Sequence, residues 1–245
     1  MKKTLLLSFA LLGLASFSHA QLIELSSGHI DLGLGYENGD WDPHIHLHGG
    51  GEFEPDEAYL YYGIAARANR PAGSAYDFIG VSAGSQIWRN YSNNVTGIPW
   101  LGFGFEEIAP GTFDSSVQSD PRLDPVSAEW VDVNLISFTG PGQVSFFQGG
   151  GASPKVWFAT SDGIDTTDKF ISTVGGHEHG SFVFTQTGIY TLTFQASALL
   201  NGTRVFSDEY TYSFGVEQAV PEPMTMGLLA LGAAALAKRR KSAKK

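Results

Sequence analysis

Six of the seven histidines, all beyond residue 20, dominate the chemistry that this chain could perform, and they fall in two short windows. His29, His44, His46 and His48 lie near the N-terminus, and His177 and His179 follow much later. Three of the pairs have the spacing His-x-His. On a β-strand residues i and i+2 point to one face, so both imidazoles of a pair can reach one point. Three or four imidazole nitrogens suit Zn²⁺, and also Cu²⁺. The spacing predicts that His44 and His46 on one strand meet His177 and His179 on another, with His29 and His48 joining them. Asp31, Asp42 and Glu178 are candidate supporting carboxylates, since a carboxylate commonly holds the far nitrogen of a ligating imidazole. The competing reading is a polar sheet face whose histidines bond to backbone and water. The metal reading requires both windows to meet in the fold.

Other chemistry is less well marked. Trp88, Tyr91, Trp100 and Phe103 lie among glycines. Trp88 and Trp100 are candidate stacking platforms for sugar rings of an exopolysaccharide, with core packing as the alternative. Glu106 and Glu107 are adjacent, so on a strand they would point to opposite faces. No Gly-x-Ser-x-Gly, His-Glu-x-x-His or P-loop pattern occurs. The chain has no cysteine, which removes thiolate metal sites and cysteine nucleophiles. The sequence therefore reads as a non-enzymatic binding protein, with glycan binding or a structural matrix role as the alternative and a metal-dependent hydrolase as a minor one. Asp162, Asp165 and Asp168 lack the calcium-loop spacing. Asn90, Asn94 and Asn201 stand in glycosylation sequons.

The elements that must position these residues are strands. His29, Asp31, Gly33 and Gly35 alternate with Ile30, Leu32, Leu34 and Tyr36, and the histidines of 44–48 alternate with Ile45 and Leu47. Strands are also expected over 130–138, 143–147 and 155–160. The clearest unit is 181–216, where Tyr190, Leu192, Phe194 and Ala196 alternate with polar residues, Asn201-Gly202 signals a hairpin, and 204–216 alternates again. Gly188-Ile189-Tyr190 resembles the tyrosine corner of immunoglobulin-like domains. The expected fold is an all-β sandwich, Ig-like at least in its C-terminal part. Residues 49–128 are less regular and read as a long insertion or as extra strands.

Both ends look like addresses. A basic start, an apolar run over 5–14 and Ser18-His19-Ala20 make residues 1–20 a cleavable signal peptide, which implies a signal peptidase. At the other end Pro221-Glu222-Pro223 precedes an apolar stretch, 224–237, and a basic cluster. As a helix that stretch spans ~21 Å, less than the ~30 Å hydrocarbon core, and the basic cluster would stay cytoplasmic. Residues 220–245 resemble the PEP-CTERM sorting signal, which implies processing by an exosortase-type enzyme, a transient inner-membrane anchor formed by the C-terminal transmembrane helix, and a final place at the cell surface. Between the ends, 21–219 reads as one domain. Residues 21–222 carry 7 basic against 25 acidic residues, a net charge of −18. Such a body attracts cations and repels nucleic acid and anionic membranes.

Three ordered segments are similar to the choice-of-anchor M family of surface-anchored domains. The first runs from Gly28-His29-Ile30-Asp31 to Trp41-Asp42-Pro43-His44-Ile45-His46. The second is Ile98-Pro99-Trp100-Leu101-Gly102-Phe103-Gly104 with Glu106-Glu107-Ile108. The third is His177-Glu178-His179-Gly180-Ser181-Phe182 through Gly188-Ile189-Tyr190. The resemblance implies an extracellular domain and adds no reaction. Pro43 and Phe182 depart from the family's usual residues, and neither change touches a histidine.

Overall fold

A computed structural model describes residues 22–221. Residues 1–20, expected to be a signal peptide, and the tail from Glu222 onward, including Pro223 and the apolar stretch 224–237, lie outside the described residues. Among the described residues the chain is all-β apart from three short 3-10 turns, and the strands form several sheets. No helix of the described residues is long and apolar enough to cross a membrane.

One sheet is built around the strands Ser127–Thr139, Gly188–Leu200 and Tyr210–Val216. Alternation places Tyr190, Leu192, Phe194, Ala196 and Ala198 inward, all fully buried, and Tyr212, Phe214 and Val216 join them from the neighbouring strand. Asn201 and Gly202 both adopt positive φ, 52° and 75°, and close a two-residue hairpin between Leu200 and Thr203. The Tyr190 hydroxyl donates to the Gln186 carbonyl at 2.9 Å and pins the turn before its strand. The expected strand 204–216 is interrupted. Ser207 leaves the ladder, its hydroxyl accepting from the Ala196 amide and donating to the Asp208 carbonyl, so pairing resumes only at Tyr210.

A second sheet runs in the order Lys155–Ala159, Val144–Gln148, Ser181–Phe184, Gln86–Arg89, Arg67–Asn69. Phe182 and Phe184 point into the main core, whereas Val183 enters a smaller cluster with Tyr76, Ile79, Ile87 and Phe147. The main core is rich in aromatic rings: Phe103, Phe146, Phe170 and Phe182 contact one another with centroids 4.5–5.9 Å apart.

The third sheet carries the histidines. Its order is His177–His179, Pro99–Gly104, Gly28–Glu37, Asp40–Leu47, Gly51–Phe53. Ile30, Leu32, Leu34, Ile45, Leu101 and Phe103 bury its inner face. The irregular stretch 49–128 contributes strands to all three sheets.

Candidate metal centre

Strand register decides which side chains share the outer face of the third sheet. His29 pairs with Trp100, Asp31 with Gly102 and Gly33 with Gly104. On the other side Asp31 pairs with His46, Gly33 with His44 and Gly35 with Asp42. His177 pairs with Gly104 and His179 with Gly102. Cβ atoms across paired positions project to the same side. All six histidines therefore project from one face.

The glycines on that face leave space for the rings. A Cβ on Gly102 would come within 2.8 Å of His179 Nδ1, and one on Gly33 would overlap the His44 ring. A Cβ on Gly104 would come within 2.6 Å of a Glu106 carboxylate oxygen and 3.3 Å of the Asp31 Cβ. With the strand between them bare at Gly102 and Gly104, His177 and His179 lie across it and reach the Gly28–Glu37 strand.

What they meet there is His29 and Asp31. The Nε2 atoms of His29, His177 and His179 form a triangle with sides of 2.9, 3.0 and 2.9 Å. Asp31 lies beneath them, almost wholly buried at 1 % exposure. Its carboxylate is 3.1 Å from His177 Nε2, 3.6 Å from His29 Nε2 and 3.7 Å from His179 Nε2. Donors ~2.0–2.1 Å from a tetrahedral Zn²⁺ lie roughly 3.3–3.4 Å from one another, and these separations straddle that value. His29, Asp31 and His177 also lie within 4.8 Å of His48 through their donor atoms.

The surrounding hydrogen bonds assign the protons. His177 lies between two carboxylates, its Nδ1 2.7 Å from Glu106 and its Nε2 3.1 Å from Asp31; in the neutral ring the shorter contact holds the proton on Nδ1 and leaves the Nε2 lone pair facing the centre. His48 Nε2 is 2.6 Å from Asp31 Oδ2. A carboxylate only accepts, so His48 donates there and its role is to orient Asp31. His48 also stacks on His29 with centroids 3.7 Å apart, and Trp100 packs over His29 and His179 at 4.3 Å each. Burial pushes His29 below its ordinary value despite the opposing charge of Asp31, and nearby His48 and His177 lower it further. Burial likewise depresses His179 to about 4. Its Nδ1 has no hydrogen-bond partner among the described residues; the Leu101 backbone lies close enough to favour the charged form slightly, without good hydrogen-bond geometry. Both imidazoles are thus neutral near pH 7, the form that binds a metal.

His44 and His46 do not join this cluster, contrary to the spacing expectation. His44 groups with Asp42 and Glu107, and His46 with Glu52 and Glu107. Their rings turn to Glu107 and Glu52, and of this strand's histidines only His48, just past its end, reaches Asp31. Asp42 keeps to the His44 group. Glu178 faces away and bonds to Ser172 and Gln148. Glu106 and Glu107 were expected on opposite faces of a strand. They instead sit in the turn after Gly104, where backbone bonds tie Phe105 to Gly175 and Gly176, and both return to the histidine face. No sequence pattern marks that turn.

The two tryptophan candidates do not share one platform. Trp88 is buried and its indole donates to Glu217 at 2.6 Å, while Trp100 covers the imidazoles. Asp165 accepts the Thr167 amide, and Asp168 accepts the amides of Asp165 and of Ala159 at the end of the preceding strand, so their charges hold the turn. Asn90 is fully buried and cannot reach a glycosylating enzyme.

At the C-terminal end, residues 219–241 match the PEP-CTERM protein-sorting motif. No curated protein matches the chain, and no solved structure does. The sorting motif makes this chain an exported surface protein processed by an exosortase-type enzyme.

Proposed function

We propose that this protein binds a divalent transition metal at the cell surface, with His29, His177 and His179 as imidazole ligands through Nε2 and Asp31 as the fourth donor. The observation that carries the reading is the triangle of three ring nitrogens about 3 Å apart. An imidazole N–H points along the ring bisector, so three rings aimed at one centre cannot satisfy one another with protons. A cation at that centre satisfies all three, and an ion ~2.05 Å from each nitrogen would sit roughly 1.2 Å off their plane, towards a fourth donor. Three nitrogens and one oxygen in a near-tetrahedral arrangement favour Zn²⁺ over Cu²⁺, which prefers a tetragonal field. Four protein donors complete a tetrahedron, which favours holding the ion over hydrolysis at an open position. Equilibrium dialysis of the purified protein against Zn²⁺, followed by elemental analysis, tests this. Replacing His29 and His177 together with Ala should remove one equivalent. Unchanged zinc content in that variant would refute the site.

The wider reading is that residues 1–20 are a signal peptide removed by signal peptidase and that the tail anchors the chain in the inner membrane until it is sorted. We read the body, 21–219, as one β-sandwich domain of the choice-of-anchor M type, Ig-like in its C-terminal part. The hydroxyl of Tyr190 on the Gln186 carbonyl supports the Ig-like corner, and the ordered histidine segments support the family. Replacing Pro221, Glu222 and Pro223 with Ala should retain the protein in the membrane fraction. Normal surface release of that variant would count against exosortase processing.

A further inference from the structure

We infer that a second divalent cation binds on the same sheet face, at His44, Glu107 and Asp42. This goes beyond the first centre and uses none of its proposed ligands. The backbone fixes the His44 tautomer. Its Nδ1 lies 3.1 Å from the Asp42 carbonyl oxygen. A carbonyl can only accept, so Nδ1 carries the proton. In the neutral ring Nε2 is then a bare lone pair, and it faces a Glu107 carboxylate oxygen at 3.3 Å. Two acceptors in that arrangement repel unless a positive species stands between them. The ring cannot turn away, because it is 6 % exposed and lies flat over Gly33, where a Cβ would overlap it.

Further carboxylates converge on the same place. Asp42 and Glu107 offer oxygens within 4.8 Å of the His44 ligand atom and of each other. Glu107 also belongs to a group with His46 and Glu52, so negative charge accumulates along this edge of the sheet. No Lys or Arg forms an ion pair with these carboxylates among the described residues. One imidazole with two carboxylates is a borderline-to-hard donor set, suited to Zn²⁺ or Mn²⁺ and poorly matched to Cu(I). The solvent-facing side of Glu107 leaves room for water ligands. The expected site is therefore weaker and more exchangeable than the first.

Calorimetric titration of the full protein with Zn²⁺, and separately with Mn²⁺, tests the inference. Wild type should bind two Zn²⁺ in distinguishable steps, and Mn²⁺ should compete at the weaker one. Glu107→Gln removes the charge from an exposed side chain without disturbing packing. It should weaken the second step at least tenfold and leave the tight step unchanged. His44→Gln should abolish the second step, with circular dichroism confirming the fold. If Glu107→Gln leaves every step unaltered, or the His29→Ala, His177→Ala double variant abolishes all binding, the pair is an imidazolium–carboxylate contact and the inference fails. If the His29→Ala, His177→Ala double variant retains every step while Glu107→Gln loses one, the second site stands and the first falls.

Discussion

At the scale of single residues, each histidine of the cluster has its own task, and substitutions should separate them. His29, His177 and His179 present Nε2 to a common centre, so replacing any one with Ala should lower zinc affinity by more than ~100-fold. His48 acts through Asp31 and Glu106 through His177 Nδ1. Removing such an outer partner typically costs 10–100-fold, so His48→Ala and Glu106→Gln should keep a measurable tight step. Competition with a chelator of known affinity reads both classes. Equal losses for His29→Ala and His48→Ala would contradict the assignment. The metal-free protein should also respond to acid. His179 keeps its proton off until about pH 4, against an ordinary value of 6.5. Between those values the unfolded chain binds more protons, so this group's contribution to stability is complete above pH ~6.5 and is lost as pH falls towards 4. His29 is shifted in the same direction. The melting temperature of the metal-free protein should fall across that window, and His179→Gln should flatten part of the slope. Parallel curves for the two proteins would show that His179 is not held neutral.

At the scale of elements, the Pro99–Gly104 strand is the spacer that makes the centre possible. Gly102 and Gly104 are required for their lack of a side chain, not for unusual backbone angles. An Ala at 102 would press on His179 and on the Glu178 carbonyl, 2.6 Å from the new Cβ. Gly102→Ala is therefore expected to weaken zinc binding at least tenfold with a cost in stability of about 1–3 kcal/mol, in the manner of overpacking. Zinc titration beside a denaturant melt checks both numbers. Wild-type affinity in that variant would mean that the His179 ring can be rebuilt elsewhere. Alternation in 28–37 made the inner and outer faces of its strand readable from the sequence. Nothing local indicated that a glycine-bearing strand from residues 99–104 would pair in parallel beside it.

At the scale of the whole molecule, Asn90 ties the histidine sheet to its neighbour. Its amide donates to the Leu101 and Gly180 carbonyls at 3.1 and 2.9 Å and accepts from the Phe182 amide and the Tyr62 hydroxyl. Leu101 and Gly180 flank Gly102 and His179, so the same side chain that joins the sheets fixes the centre. Asn90→Ala would leave several buried polar groups unpaired, at a cost on the order of 3 kcal/mol. Denaturant unfolding with and without zinc should show this loss. Zinc itself should stabilise the fold by about 2.7 kcal/mol when present at 100 times its Kd, and an unchanged melting temperature on adding zinc would contradict a site linked to folding.

The sequence alone determined the strand pattern, the Asn201-Gly202 hairpin, the sorting tail and the confinement of the histidines to one chemical theme. These are local properties, set by alternation, turn residues and motif order. It also indicated that His-x-His pairs on strands share a face. Which pairs converge was a tertiary decision, because it depends on which strands pair and where each ring turns. The parallel entry of Pro99–Gly104 put His29 and Asp31 across from His177 and His179, while His44 and His46 face Glu107 and Glu52 instead. The same arrangement brought Glu106 and Glu107 back from a turn onto the histidine face. Long-range pairing leaves no periodic trace in the chain, so only the folded sheet could select the ligands.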